Sequence, residues 1–289
     1  MNISVSRLAE VAMPNFCPRC FWIKSKMGWE LPFARPMPSI FWDIDRYVKS
    51  IVRTHYDERG VLPKWFPYLG KVTRLEKVPR WQDFYFAHPQ LKITLRGEMD
   101  ELFQLDGSEY HIVDYKTARY TAAQGGLFPM FEAQLNAYAY IAEHRNFFSP
   151  VTGLSLVCLE PDTDFSLNRG LMQRSSDKLI LGFTPQVKSV EIKPDSFIEG
   201  PLHKATEISN LSEPPKPTPT CQNCRLVRSL FEAVSFSNLD LLTLEFEVKR
   251  AADSGTALNP MEVQLVLRNI QGFLSSVKAR MGWDSLIPW

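Results

Sequence analysis

Two apolar runs, KITLRGEMDELFQL (92–105) and EYHIVDYK (109–116), stand on either side of Asp106-Gly107. An Asp-Gly pair between such runs is a tight-turn signal, so the two are read as the strands of one hairpin. The second strand ends in an acid, an aromatic and a lysine. Residues two apart on a strand share a face, which puts Asp114 and Lys116 on the same side. Whether Asp100 joins them depends on the turn. A loop of odd length centred on Gly107 sets Asp100 opposite Asp114, whereas a two-residue Asp106-Gly107 turn shifts the pairing by one and sends Asp100 to the other face.

The segments around the hairpin alternate in type. FWDIDRYVKSIVRTHYDE (41–58) has Ile44, Tyr47, Val48, Ile51 and Val52 at helical spacing and is expected to be an amphipathic helix. PMFEAQLNAYAYIAEH (129–144) is read as a second helix, VTGLSLVCLE (151–160) as a buried strand, LILGFTPQVKSVEIK (179–193) as further strand and 196–211 as helix. The first segment, through KSK at 24–26, is expected to be helical on both sides of Pro14. That order specifies an α/β fold with a mixed central sheet flanked by helices. Near the C-terminus, Asn259 as cap, Pro260 at the first position and Glu262 in the first turn mark another helix start. The expected divisions are 1–40 as an N-terminal helical segment, 41–212 as the core, 213–228 as a cysteine-bearing segment and 229–289 as a helical appendix.

Composition narrows the classes of function. At 289 residues the chain can bury a substantial core. Lysine plus arginine number 33 against 32 for aspartate plus glutamate, so any nucleic-acid binding has to use a local groove rather than a global field. Lys24, Lys26, Arg46, Lys49, Arg53, Lys71, Arg74 and Arg80 are candidates for that groove, with Trp22, Trp65 and Trp81 as stacking platforms. No run approaches the roughly 18 apolar residues of a membrane span, and the N-terminus lacks a leader pattern. The expected location is the cytoplasm.

Five cysteines are present, four of them in the C-x-x-C pairs Cys17/Cys20 and Cys221/Cys224. In a cytoplasmic chain such pairs are metal ligands more often than disulfides. Four thiolates suffice for tetrahedral Zn²⁺ or a [4Fe–4S] cluster, and spacing alone favours zinc. Cys158, inside LSLVCLE, is read as a packing residue.

Two carboxylates brought together on the hairpin need a cation between them, and hard oxygen ligands suit Mg²⁺ or Mn²⁺. A neighbouring lysine then orients or deprotonates a water and offsets charge on a scissile phosphate. D-x-K alone equally describes a solvated cross-strand pair. The ordered set is more specific: Gly97-x-x-Asp100, a hairpin, Asp114-Tyr115-Lys116, then Gln134 and Tyr138 at i and i+4 on the next helix.

In this set the chain resembles the PD-(D/E)XK nuclease superfamily, RecB-like branch, and is similar to the iron–sulfur exonucleases of CRISPR adaptation. The resemblance implies a restriction-endonuclease-like core and a metal-dependent deoxyribonuclease acting on single-stranded DNA or DNA ends. It implies Asp100 and Asp114 as metal ligands with the Tyr115 carbonyl, Lys116 as the residue that activates water, and Gln134 and Tyr138 as orienting groups. The histidine or glutamate that the family carries on its first core helix is replaced here, with Asp45 the better match and Asp43 the other acid. The resemblance also implies a [4Fe–4S] cluster at Cys17, Cys20, Cys221 and Cys224, although the family usually divides its cysteines one and three rather than two and two. An alternative is a catalytically inactive nuclease fold serving as a DNA-binding or adaptor subunit. A protein partner is expected, if any, at the C-terminal helices.

Overall fold

The structure is a computed structural model that describes residues 1–29, 39–118, 124–162 and 182–228. The C-terminal helix expected from Asn259, and the whole appendix 229–289, lie outside the described residues. No helix among the described residues is long and apolar enough to cross a membrane. The chain divides into two compact units, one from the described residues within 1–14 and 35–206, the other from those within 15–34 and 207–289.

The first unit is built on the hairpin. Its strands β5 (Glu101–Leu105) and β6 (Tyr110–Lys116) pair antiparallel in a five-stranded sheet with β2 (Val72–Leu75), β7 (Val151–Pro161) and β8 (Phe183–Val190), in the order β2-β5-β6-β7-β8. The β6–β7 pair is parallel and the others antiparallel, so the sheet is mixed as expected. The turn has odd length. Leu105 N–H donates to the Glu109 carbonyl at 2.7 Å, and Gly107 (φ +89°) and Ser108 (φ +64°) take the left-handed conformations that such a loop needs. Glu101 therefore faces Val113 and Phe103 faces His111, the register that carries Asp100 toward Asp114.

Helices cover both faces of this sheet. The helix α3 (Ile40–Arg59), closed by Gly60 in the left-handed conformation, lays Val48 and Val52 against Phe103, Val113, Tyr115, Val157 and Leu159. On the other face α4 (Phe128–His144) is buried at every position from Ala133 to Ala142, with Pro129 in its first turn. A helix buried all round sits in the core, which explains its run of alanines.

The structure corrects the reading of 92–105 as one strand. Thr94–Arg96 forms β4, which joins β1 (Asn2–Ser4) and β3 (Tyr85–Ala87) in a separate three-stranded sheet, and β5 begins only at Glu101. Gly97 marks the break: a Cβ there would lie 2.8 Å from the Tyr138 ring and 3.2 Å from Phe84. The chain passes so close over α4 that only glycine fits. The N-terminal segment is likewise not helical from its start, since β1 precedes the short α1 (Val5–Ala9), whose first turn Ser4 caps.

The second unit contains α2 (Pro18–Lys26), with Cys17 at its N-cap and Phe21 and Trp22 buried. A helical stretch over 222–228 follows Cys221. Four hydrogen bonds tie these two parts of the chain: Thr218 Oγ1 to the Phe16 carbonyl, Arg19 Nε to Pro215, Trp22 Nε1 to Leu211 and Lys26 Nζ to Ser209.

Candidate functional site

Asp114 is the most buried acid of the hairpin, 2% exposed. Its Oδ1 accepts a hydrogen bond from Gln134 Nε2 at 3.3 Å, and the same amide donates to Tyr138 Oη at 2.8 Å. Gln134 and Tyr138, one turn apart on α4, are themselves buried and brace the acid rather than face solvent. Lys116 Nζ stands 2.5 Å from Asp114 Oδ2, an ion pair without hydrogen-bond geometry. Asp114 Oδ2 is thus buried with no hydrogen-bond partner among the described residues. Burial pushes the Asp114 carboxyl up to about 7; Lys116 draws it down and Asp100 raises it.

Asp100 lies where β6 ends. Its Oδ2 accepts the Tyr115 backbone N–H at 2.8 Å and its Oδ1 meets Lys49 Nζ at 2.7 Å. The same ammonium bonds Asp45 Oδ2 at 2.8 Å. Burial works against the Lys49 charge, yet Asp100 and Asp45 outweigh it and hold its pKa above the usual lysine value. Asp43 instead pairs with Arg46 on the exposed side of α3, away from this cluster.

Asp45, Asp100, Asp114, Lys116, Gln134 and Tyr138 are therefore linked by a chain of contacts through Lys49 and the β6 backbone. The buried oxygen of Asp114, with Asp100 beside it, is a donor set of hard carboxylate oxygens that fits a divalent cation. Lys49 was not distinguished from the general basic groove by sequence; its signal was its position four residues after Asp45 on a helix. Glu101 and Arg53 were also missed. Glu101 is fully buried on the α3 side of the sheet, paired with Arg53, and burial lifts its carboxyl to about 7 although Arg53 opposes this.

The groove reading needs correction at several positions. Trp22 is 2% exposed and donates to Leu211, so it packs rather than stacks on a base. Arg53 is spent on Glu101, and Lys71, Arg74 and Arg80 pair with Asp106, Glu76 and Asp83. Trp65 stacks on Phe66. Trp81 is exposed, and so is Trp42, which lies on the α3 face of Asp45 and Lys49 at helical spacing.

In the second unit Cys17, Cys20, Cys221 and Cys224 converge, their sulfurs all within 4.8 Å of one another. The shortest contacts are Cys20 to Cys221 at 3.4 Å, Cys20 to Cys224 at 3.5 Å and Cys17 to Cys224 at 3.6 Å. Burial and neighbouring sulfurs push the Cys20 thiol far up, and burial with Cys17 and Cys221 takes Cys224 up to about 12. Burial also raises Cys17, but backbone contacts with Cys20 and Thr218 outweigh it and bring it to about 7. Four sulfurs this close fit a metal ion, whose charge converts crowded thiols into thiolates. Cys158 lies apart from them, buried in β7 as a packing residue.

The PD-(D/E)XK nuclease superfamily matches residues 44–229, which spans every residue of the acid cluster. The crystal structure of an alkaline exonuclease from Laribacter hongkongensis is similar at 10% sequence identity and a TM-score of 0.36, over 83% of this chain and 94% of that one. No curated protein sequence matches the chain.

Proposed function

Because this chain belongs to the PD-(D/E)XK nuclease superfamily, we propose that it is a divalent-metal-dependent deoxyribonuclease of the RecB-like branch, hydrolysing phosphodiester bonds in single-stranded DNA or at DNA ends. The observation that carries this reading is the buried Asp114 oxygen without a hydrogen bond, beside Asp100 and Lys116. Asp100, Asp114 and the Tyr115 carbonyl would hold Mg²⁺ or Mn²⁺. When bound, such an ion polarises the scissile phosphate and lowers the pKa of a coordinated water.

The protein's own groups do the rest. Gln134 fixes the orientation of Asp114 through one bond and that of Tyr138 through another. Lys116, packed over the Phe131 ring at 5.5 Å, keeps its ammonium at the mouth of the site. There it orients the attacking water and offsets the charge that builds on the phosphate. Exposed Trp42, on the helix face of Asp45, supports a preference for unpaired bases, which stack on aromatic rings.

The cysteine site is assigned a single Zn²⁺ with a structural role. Zn–S bonds of about 2.3 Å set sulfur–sulfur edges of about 3.8 Å in a tetrahedron, the scale of the 3.4–3.6 Å contacts. A cluster with four irons inside its thiolates holds them wider apart. The spacing supports zinc over the [4Fe–4S] centre that the resemblance implies.

The test is cleavage of labelled single- and double-stranded DNA by wild type and Lys116→Ala with Mg²⁺, Mn²⁺ or EDTA. Wild type is expected to cut only with metal, and the variant to lose roughly 100-fold or more. A wild type that cuts nothing under any metal would support the non-catalytic DNA-binding alternative; equal cutting by the variant would remove Lys116 from the chemistry.

A further inference from the structure

The acid cluster holds one cation more than the motif residues account for. Lys49 Nζ lies 2.8 Å from Asp45 Oδ2 and 2.7 Å from Asp100 Oδ1, hydrogen-bonded to both, and it comes from α3 rather than from the hairpin. All three side chains are mostly shielded, at 28% exposed for Lys49, 33% for Asp45 and 19% for Asp100. Nucleases that use two metal ions place them about 3.5–4 Å apart, and the second ion needs oxygens of its own. Here the oxygens within reach of such an ion are the ones that Lys49 already takes, while the other Asp100 oxygen accepts the Tyr115 N–H.

We propose that the Lys49 ammonium stands in the position of a second metal ion, between Asp45 and Asp100, and makes this a one-metal site. The proposal rests on the metal-dependent reading above and specifies its stoichiometry. Charge supports it. Asp45, Asp100 and Asp114 carry three negative charges against the two ammoniums of Lys49 and Lys116, while Glu101 is matched separately by Arg53. One divalent ion turns that single net negative charge into a single positive one, which a phosphodiester cancels; a second ion would leave two uncompensated positive charges. The two lysines also differ in hold. Lys116 touches Asp114 without hydrogen-bond geometry and can yield to an ion, whereas Lys49 is hydrogen-bonded to both of its acids.

The experiment is Mn²⁺ titration of the full chain, counted by bound metal and read by electron paramagnetic resonance, in wild type, Lys49→Gln, Lys49→Arg and Asp114→Asn. Wild type and Lys49→Arg are expected to bind one Mn²⁺ that Asp114→Asn loses, with the spectrum of an isolated ion. Lys49→Gln is expected to take up a second, seen as a magnetically coupled pair. A coupled pair in wild type, or no extra ion in Lys49→Gln, overturns the proposal and leaves the metal-dependent nuclease standing. If Asp114→Asn binds as much Mn²⁺ as wild type, the metal-dependent reading itself falls and this proposal with it. Should Lys49→Gln not fold, the wild-type count and spectrum decide.

Discussion

Gly97 shows how one residue joins fold and site. Its missing Cβ would sit 2.8–2.9 Å from the Tyr138 ring, which is buried and bonded through Gln134 to Asp114. The glycine of the G-x-x-D motif is there for clearance, so that the strand leading to Asp100 can cross directly over the brace of Asp114. Gly97→Ala is expected to cost about 1–3 kcal/mol through overpacking, and to lower nuclease activity by about 10- to 100-fold because displaced groups misplace the reacting ones. Urea denaturation and cleavage rates measure the two effects. An alanine variant that matches wild type in both would show that Tyr138 can move freely and is no brace. The motif letters made Asp100, Asp114, Lys116, Gln134 and Tyr138 legible in the sequence. Lys49 was not, because a lysine on an amphipathic helix reads as solvated until the partner it reaches, Asp100, is known to lie across from it.

At the scale of elements, the long periodic segments were readable and the short ones were not. The spacing of apolar residues marked α3 and α4, and β7 declared itself by its unbroken apolar run. The three-residue strands β1, β3 and β4 left no pattern, since three residues cannot display an alternation; their pairing is set by tertiary contact. The turn showed where local chemistry was ambiguous, because Asp-Gly serves a two- or three-residue loop, and requiring the two acids to share a face chose the odd length that the register has. The β6–β7 pair carries a pH dependence of its own. His111 on β6 is buried, bonds Ser155 Oγ on β7 at 2.9 Å, and lies where a Cβ on Gly153 would be 2.0 Å from its ring. Burial lowers its pKa from 6.5 to about 4. The unfolded chain therefore takes up a proton below about 6.5 that the folded chain refuses, so stability is intact above that value and falls as pH drops toward 4. The full loss is about 3 kcal/mol. Melting curves of wild type and His111→Gln between pH 4 and 8 isolate it: the wild type should lose ground to the variant only on the acid side. A difference that does not change with pH would mean that the imidazole protonates in place.

For the whole molecule the decisive fact is that residues about 200 apart in sequence must meet, Cys20 and Cys221 being separated by 201 positions. The second unit has little else to hold it. Phe21 and Trp22 are buried, Phe16 and Trp29 pack on Phe21, and four hydrogen bonds cross from the α2 side to residues 209–218. At about 1 kcal/mol each those bonds are small against roughly 1–2 kcal/mol for each backbone residue fixed. Metal ligation is the remaining large term, and it is also what resolves the mutual crowding of the four thiols. Removing the metal with a strong chelator under reducing conditions, or replacing Cys221 with serine, is expected to release about one zinc per chain. It should also raise hydrogen exchange in peptides covering 17–26 and 211–225 while the amides of β5, β6 and β7 keep their protection. The contrast matters because the central sheet has its own core, with Leu102, Ile112, Val113 and Val157 fully buried. If exchange in the cysteine segments is unchanged after the metal is gone, the aromatic contacts and hydrogen bonds suffice, and the cysteines then serve something other than holding these ends together. Iron with visible absorbance in place of zinc would keep the structural role and reverse the identity assigned to the ion.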